Sequence, residues 1–355
     1  MRQLLVLNPG STSTKLAVYQ DETESVAQSL EHSAADLKPF PNILAQADLR
    51  LECVRRFLAE SRVDPKTLAA VIGRGGLLKP IASGTYRVNE PMLADLRSGR
   101  YGEHASNLGA LLADRLAREA GCPAYIVDPV VVDELDDAAR LTGLPEIERR
   151  SIFHALNQKS VAKETARRLG KRYEECNFIV AHLGGGISIG AHRLGRVVDV
   201  NNALDGEGPF SPERAGTLPA GQLAALCFGG KHTLAEVKKK ITGNGGLMAH
   251  RGTNKLSDIS AAAQKGDAKA GQLLAAMALR IGQEIARHGA TLCGKIDRIV
   301  LTGGMAYDAD LMALLRERVE FLAPVEVIPG ERELLSLARG ALAVLEGREQ
   351  EQEYR

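Results

Sequence analysis

One pattern occurs twice in this chain and limits what it can become: a short apolar run, a glycine-containing turn, and a second short apolar run. The first copy joins residues 3–7 (QLLVL) to 16–19 (LAVY) through Asn8-Pro9-Gly10-Ser11-Thr12-Ser13-Thr14-Lys15. The second joins residues 178–182 (FIVAH) to 187–192 (ISIGAH) through Leu183-Gly184-Gly185-Gly186. Runs of this length around small residues predict β-hairpins. Two copies roughly 175 residues apart predict a duplicated domain core, the alternative being a chance pair of glycine-rich hairpins.

Apolar positions spaced by three and four predict helices over residues 104–120 and 269–292. A strand is predicted over 296–301, followed by Thr302-Gly303-Gly304, a helix over 308–318, a strand over 324–328 and a closing helix over 333–347. Alternating strands and helices make the class α/β. A chain of 355 residues suits two domains at roughly 100–200 residues each. The expected division is residues 1–152 with the closing helix 335–355, and residues 153–334, although periodicity alone does not assign that helix.

Composition excludes several partners. The formal net charge is +1, which gives no attraction for nucleic acid or an anionic membrane, and Lys238-Lys239-Lys240 reads as a solvated helix face. The five cysteines form no CxxC pair, so neither a zinc knuckle nor a redox dithiol is expected. Nothing approaches the length of a membrane span, and residues 4–7 are too short for a secretory core. These features predict a soluble cytoplasmic protein.

The turns carry the chemistry. Small hydroxyl residues, the Asn8 amide and the Lys15 ammonium suit phosphate oxygens, although a Ser/Thr-rich turn is the plainer reading. The Walker spacing is absent, and the loop enters a strand rather than a helix. The tip at Gly184, Gly185 and Gly186 also enters a strand, and position 189 is Ile, so it is not a dinucleotide fingerprint. Gly303 and Gly304 end an apolar strand before a helix, a place where ligands commonly sit.

Two such hairpins and a strand-GG-helix turn, in this order, resemble the actin-like ATPase superfold. The stretches LLVLNPGSTSTKLAVY, IGRGGLLKPIASGTY, EHASNLGA, IVDPVVVDE, RRSIFHALNQKSVA, AHLGGGISIGAH, PFSPERAGTLP and VLTGGMAYD resemble the acetate/butyrate kinase family over nearly the whole chain. Pro9, Gly185 and Phe210-Ser211-Pro212 lean toward its butyrate branch.

The resemblance implies two duplicated actin-like (ribonuclease H-like) domains with a nucleotide cleft, and phosphoryl transfer from ATP to a short-chain carboxylate such as butyrate. A carboxylate is already ionised near neutral pH, so cations and donors matter more than a base. By resemblance, Arg74 holds the substrate carboxylate and Arg214 and His154 steady the transferring phosphoryl. Asp128 lies near the site, positioning Arg74 or a metal-bound water, or merely capping a turn. Asn8, Ser11, Ser13, Lys15, His182, Gly184, Gly185, Gly186, Gly303 and Gly304 bind the nucleotide and its phosphates. ATP/ADP and Mg2+ are implied, with Glu331 or Glu333 associated with the metal, and so is a homo-oligomer. Rival readings are another short-chain carboxylate kinase, a non-catalytic nucleotide-binding regulator, or a sugar kinase. The last needs an aspartate base, and no such signature surrounds Asp128 or Asp199.

Overall fold

A computed structural model describes all 355 residues. The chain forms two compact units, one of Met1–Val132 with Arg332–Arg355, the other of Asp133–Glu331. The sequence put this seam some twenty residues later, near 152. Residues 133–152 belong with the second unit because the strand Arg196–Val200 and the helix Ala155–Arg168 hold them. The Asp136 amide donates to Val198 O at 2.9 Å, Glu134 pairs with Lys159 at 2.7 Å, and Arg149 pairs with Asp199 at 2.8 Å.

The strands are β1 (Gln3–Pro9), β2 (Ser13–Gln20), β3 (Thr23–Glu31), β4 (Leu68–Arg74), β5 (Thr85–Arg87), β6 (Ala124–Val127), β7 (Asn177–Leu183), β8 (Ile187–Arg193), β9 (Arg196–Val200), β10 (Arg298–Gly303), β11 (Val325–Pro329) and β12 (Gln352–Glu353). The first sheet runs β12-β5-β6-β4-β1-β2-β3 and the second β11-β10-β7-β8-β9. Each contains an antiparallel β-meander whose first strand pairs in parallel with a later one: β1 with β4, and β7 with β10. The order β6-β4-β1-β2-β3 therefore repeats as β11-β10-β7-β8-β9, which is the duplication that the paired hairpins predicted.

Central strands covered on both faces read as unbroken apolar runs. Leu4, Leu5, Val6 and Leu7 in β1 are wholly buried, as are Phe178, Ile179, Val180 and Ala181 in β7. In β7 the alternate side chains serve two cores. Ile179 and Ala181 pack with the helix Ala268–Thr291, and Phe178 and Val180 with the helix Ala155–Arg168. The closing helix Glu333–Leu345 packs on β1 and β4 in the first unit.

One core position makes a pH prediction. His288, on the helix Ala268–Thr291, is fully buried, its Nδ1 3.6 Å from Asp199, and neither ring nitrogen has a hydrogen-bond partner. Burial lowers its pKa to about 4, with Asp199 opposing the shift. The unfolded chain therefore binds the extra proton first, and stability falls as pH drops from 6.5 toward 4. Asp199 is also held below its usual range, burial being outweighed by His288, Arg149 and Arg287, so its contribution is likewise lost in acid. Glu284, raised by burial, acts in the opposite sense. Urea denaturation across this pH window should show a shallower loss for His288→Gln than for the wild type.

Candidate active site

In the first unit the hairpin register pairs Pro9 with Thr14 and Asn8 with Lys15, leaving Gly10 to Ser13 as its tip. Asn8 and Lys15, directly opposite each other, share a sheet face. Asn8 is buried, while Ser11 and Lys15 are exposed and Ser13 is half-buried. Because β4 runs parallel to β1, its last residue, Arg74, arrives beside this hairpin. Gly73 and Gly109 allow β4 and the helix Asn107–Ala120 to touch backbone to backbone, since a β-carbon at either would overlap the other element.

Arg74 Nη1 donates to Asn8 Oδ1 at 3.2 Å and pairs with Glu333 at 3.0 Å, and Asn8 Nδ2 donates to Glu333 at 2.5 Å. Of the two glutamates left open by the sequence, Glu333 thus joins the first hairpin. Glu331 belongs to the second unit, with an oxygen 3.0 Å from His182 Nε2, though that nitrogen lacks hydrogen-bond geometry.

Asp128 follows Val127, the β6 residue that pairs with Arg74, so it stands beside the end of β4. Its Oδ1 accepts from Ser83 Oγ at 2.6 Å and from the Gly84 amide at 2.8 Å, while its own backbone takes φ +39°. It secures the entry to β5, and the carboxylate partner of Arg74 is Glu333. His104, which the sequence reading passed over, feels Arg74: burial and then that cation lower its pKa. Its Nδ1 accepts from the Ser106 amide at 3.2 Å, leaving the ring proton on Nε2.

In the second unit Leu183 pairs with Ile187, so Gly184, Gly185 and Gly186 form the whole tip. The Arg214 guanidinium lies against Gly186, where a β-carbon would overlap Nη1 and displace it, so glycine here leaves the guanidinium its place. Nη1 donates to Ala203 O, and the buried Nε has no partner. Ser211 Oγ holds the loop by donating to Gly185 O at 2.5 Å.

His154 precedes the helix Ala155–Arg168 and stacks on His182, with ring centroids 3.8 Å apart and planes 8° from parallel. Its Nδ1 is 2.9 Å from Ser188 Oγ, and Gln158 Nε2 donates to the same oxygen at 2.8 Å. Asn157 Oδ1 meets His182 Nδ1 at 2.8 Å, so that ring's proton sits on Nδ1. Both imidazoles are thus fixed by neighbours on one helix and one strand. The sequence did not mark Ser188, Gln158 or Asn157, because nothing local distinguishes them from ordinary helix and strand residues. Gly303 ends β10 at φ +90°, with Gly304 opening the short turn Gly304–Tyr307.

No group of three or more His, Cys, Asp or Glu side chains is gathered to hold a metal ion. No helix is long and apolar enough to cross a membrane.

Comparison with known proteins bears on this arrangement. The acetokinase family pattern matches residues 145–328. The chain is 51% identical over 353 residues to butyrate kinase 2 of Clostridium acetobutylicum, covering 99% of both chains. It is 54% identical over 353 residues to a probable butyrate kinase of Coprothermobacter proteolyticus, again covering 99% of both. An acetate kinase from Porphyromonas gingivalis superposes with a TM-score of 0.80 at 18% identity, covering 97% of this chain and 100% of that one. A propionate kinase from Francisella tularensis superposes with a TM-score of 0.73 at 20% identity, covering 96% and 99%. At such identities the two structures establish the fold alone, and it is the actin-like α/β fold that the sequence implied.

Proposed function

This chain belongs to the acetokinase family, and we propose that it transfers the terminal phosphoryl group of ATP to the carboxylate of butyrate or a similar short acid, giving ADP and the acyl phosphate reversibly. The observation carrying this reading is the 51% identity, over 353 residues, with a relative named butyrate kinase.

The acceptor is ionised without help, so the residues have two tasks: to hold anions together and to take up the charge that spreads over the phosphoryl group. Arg74 receives the acceptor carboxylate. Its planar fork matches a carboxylate, and its pairing with Glu333 holds it in place before substrate arrives. Asn8, Ser11, Ser13 and Lys15 take phosphate oxygens on the first hairpin, and Gly184, Gly185 and Gly186 on the second. Arg214 and His154 meet the phosphoryl in flight. Arg214 has no ion-paired carboxylate, and its free Nε donor is already desolvated, so it needs little reorganisation. His182 supports His154 by stacking, Asp128 shapes the loop at Ser83 and Gly84, and Gly303 and Gly304 lie against the adenosine.

Magnesium fits this residue set in a limited way. A single carboxylate, Glu333 beside Asn8, suits an ion that keeps waters and phosphate oxygens as most of its ligands. When bound, it would neutralise phosphate charge. Glu331, beside His182, is the less suitable carboxylate. The reading also places the protein in the cytoplasm, in keeping with five free thiols. A homo-oligomer accords with the exposed Phe228 and Leu234.

The test is to incubate the protein with Mg-ATP, hydroxylamine and acids from acetate to hexanoate, linear and branched. Acyl hydroxamate should form with the highest kcat/KM near four carbons. No hydroxamate with any acid would sink the kinase reading, and a clear acetate optimum would replace butyrate. Because each methylene contributes only about 0.8 kcal/mol on burial, discrimination between neighbours should be modest.

A further inference from the structure

Behind the first hairpin lies a buried cation that the mechanism above does not use. Arg50, on the helix Ala47–Glu60, has no exposed surface. Nη1 donates to Ser13 O at 2.9 Å and Thr14 Oγ1 at 3.0 Å. Nη2 donates to Ser11 O at 3.2 Å and Gln46 Oε1 at 2.9 Å, and Nε to Gln46 Oε1 at 3.3 Å. All five N–H donors of the guanidinium therefore go to neutral acceptors. A buried charge without a counter-ion is unfavourable in itself, so it calls for a reason.

The hairpin carbonyls supply one. Ser11 O and Ser13 O are tied back by Arg50, Ser13 O also by the Gly10 amide at 2.8 Å, and Thr12 O by the His32 amide at 2.7 Å. With all three carbonyls turned inward, the Ser11 and Thr12 amides have no acceptor within the protein and both residues are exposed. Outward amides with a positive charge behind them form an anion-binding concavity. His32, whose ring meets Thr14 Oγ1 at 2.8 Å, is kept neutral by burial and by Arg50, so the cation stays single.

We propose that Arg50 is the positioning residue of the phosphate hairpin: it turns the Ser11, Thr12 and Ser13 segment so that its amides face ATP phosphates, and its uncompensated charge strengthens their hold. This rests on the reading that the hairpin binds those phosphates.

Calorimetric titration with Mg-ATP and with adenosine tests it. Arg50→Met should weaken Mg-ATP binding by about thirtyfold while adenosine affinity and the KM for butyrate stay within about threefold. Arg50→Lys, which keeps the charge but cannot reach all four acceptors, should fall between. If Arg50→Met does not fold, Gln46→Leu, which unhooks Nε and one Nη2 donor, should weaken Mg-ATP binding by about fivefold. Equal losses for ATP and adenosine, or no loss in a folded variant, would overturn the assignment. A wild type that binds no Mg-ATP would instead overturn the kinase reading, and this role for Arg50 with it.

Discussion

Replacing Arg214 with alanine should lower kcat by about a thousandfold or more while leaving the fold intact. The guanidinium lies on Gly186 at the second hairpin tip, donates to Ala203 O and keeps a buried Nε without a partner. Nothing in its surroundings balances the charge in full, which is what a group awaiting a phosphoryl needs. A residue held this way stabilises the folded chain little, so the alanine variant should unfold no earlier than the wild type. Arg214→Lys should recover only part of the rate, because an ammonium is a point charge without the planar fork of the guanidinium. Steady-state kinetics beside a thermal melt checks both statements. A folded Arg214→Ala enzyme within about tenfold of wild-type kcat would remove this residue from the chemistry.

Arg74→Ala should act on the acid rather than on the nucleotide. Its kcat/KM for butyrate should fall by about two to three orders of magnitude, mainly through KM, with the KM for ATP nearly unchanged. Two effects add. The acceptor loses a bidentate partner, and Glu333, now held only by Asn8, presents an uncompensated carboxylate to an incoming anion. The second effect can be separated. In butyrate binding measured without Mg-ATP, Arg74→Ala combined with Glu333→Gln should recover part of the loss, because neutral glutamine removes the repulsion. A KM for butyrate that stays within about threefold in Arg74→Ala would mean that the ion pair is structural only.

Much of this arrangement can be read locally. The apolar runs at 3–7 and 178–182, the small-residue turns after them and the Thr302-Gly303-Gly304 turn each lie within a dozen residues, and the elements appeared close to where periodicity put them. Helix 269–292 is Ala268–Thr291, and strand 324–328 is Val325–Pro329. Edge strands β3 and β12 were missed, because exposed strands such as Thr23–Glu31 lack an apolar signature. The seam was displaced because residues 133–152 have little periodic structure of their own; tertiary hydrogen bonds decide where they belong.

Read in one dimension, the chain already shows two equivalent hairpins with tips of small residues, and Arg74, His154 and Arg214 in stretches resembling one enzyme family. Tertiary structure alone decided what each tip is set against. Arg74 meets Glu333 across 259 positions of sequence because β4 lies beside β1 and the closing helix returns to both. Arg214 meets Gly186 because a loop folds back on the second hairpin. Arg50 reaches Ser11 and Ser13 from a helix that nothing in the sequence links to phosphate. Glycines and apolar periodicity act over a few residues and are visible in one dimension. A hydrogen-bond partner is chosen by strand order and helix packing, which exist only once the chain has folded. The hairpin from Asn8 to Lys15 was legible as a turn, but the buried guanidinium that turns its carbonyls inward was not.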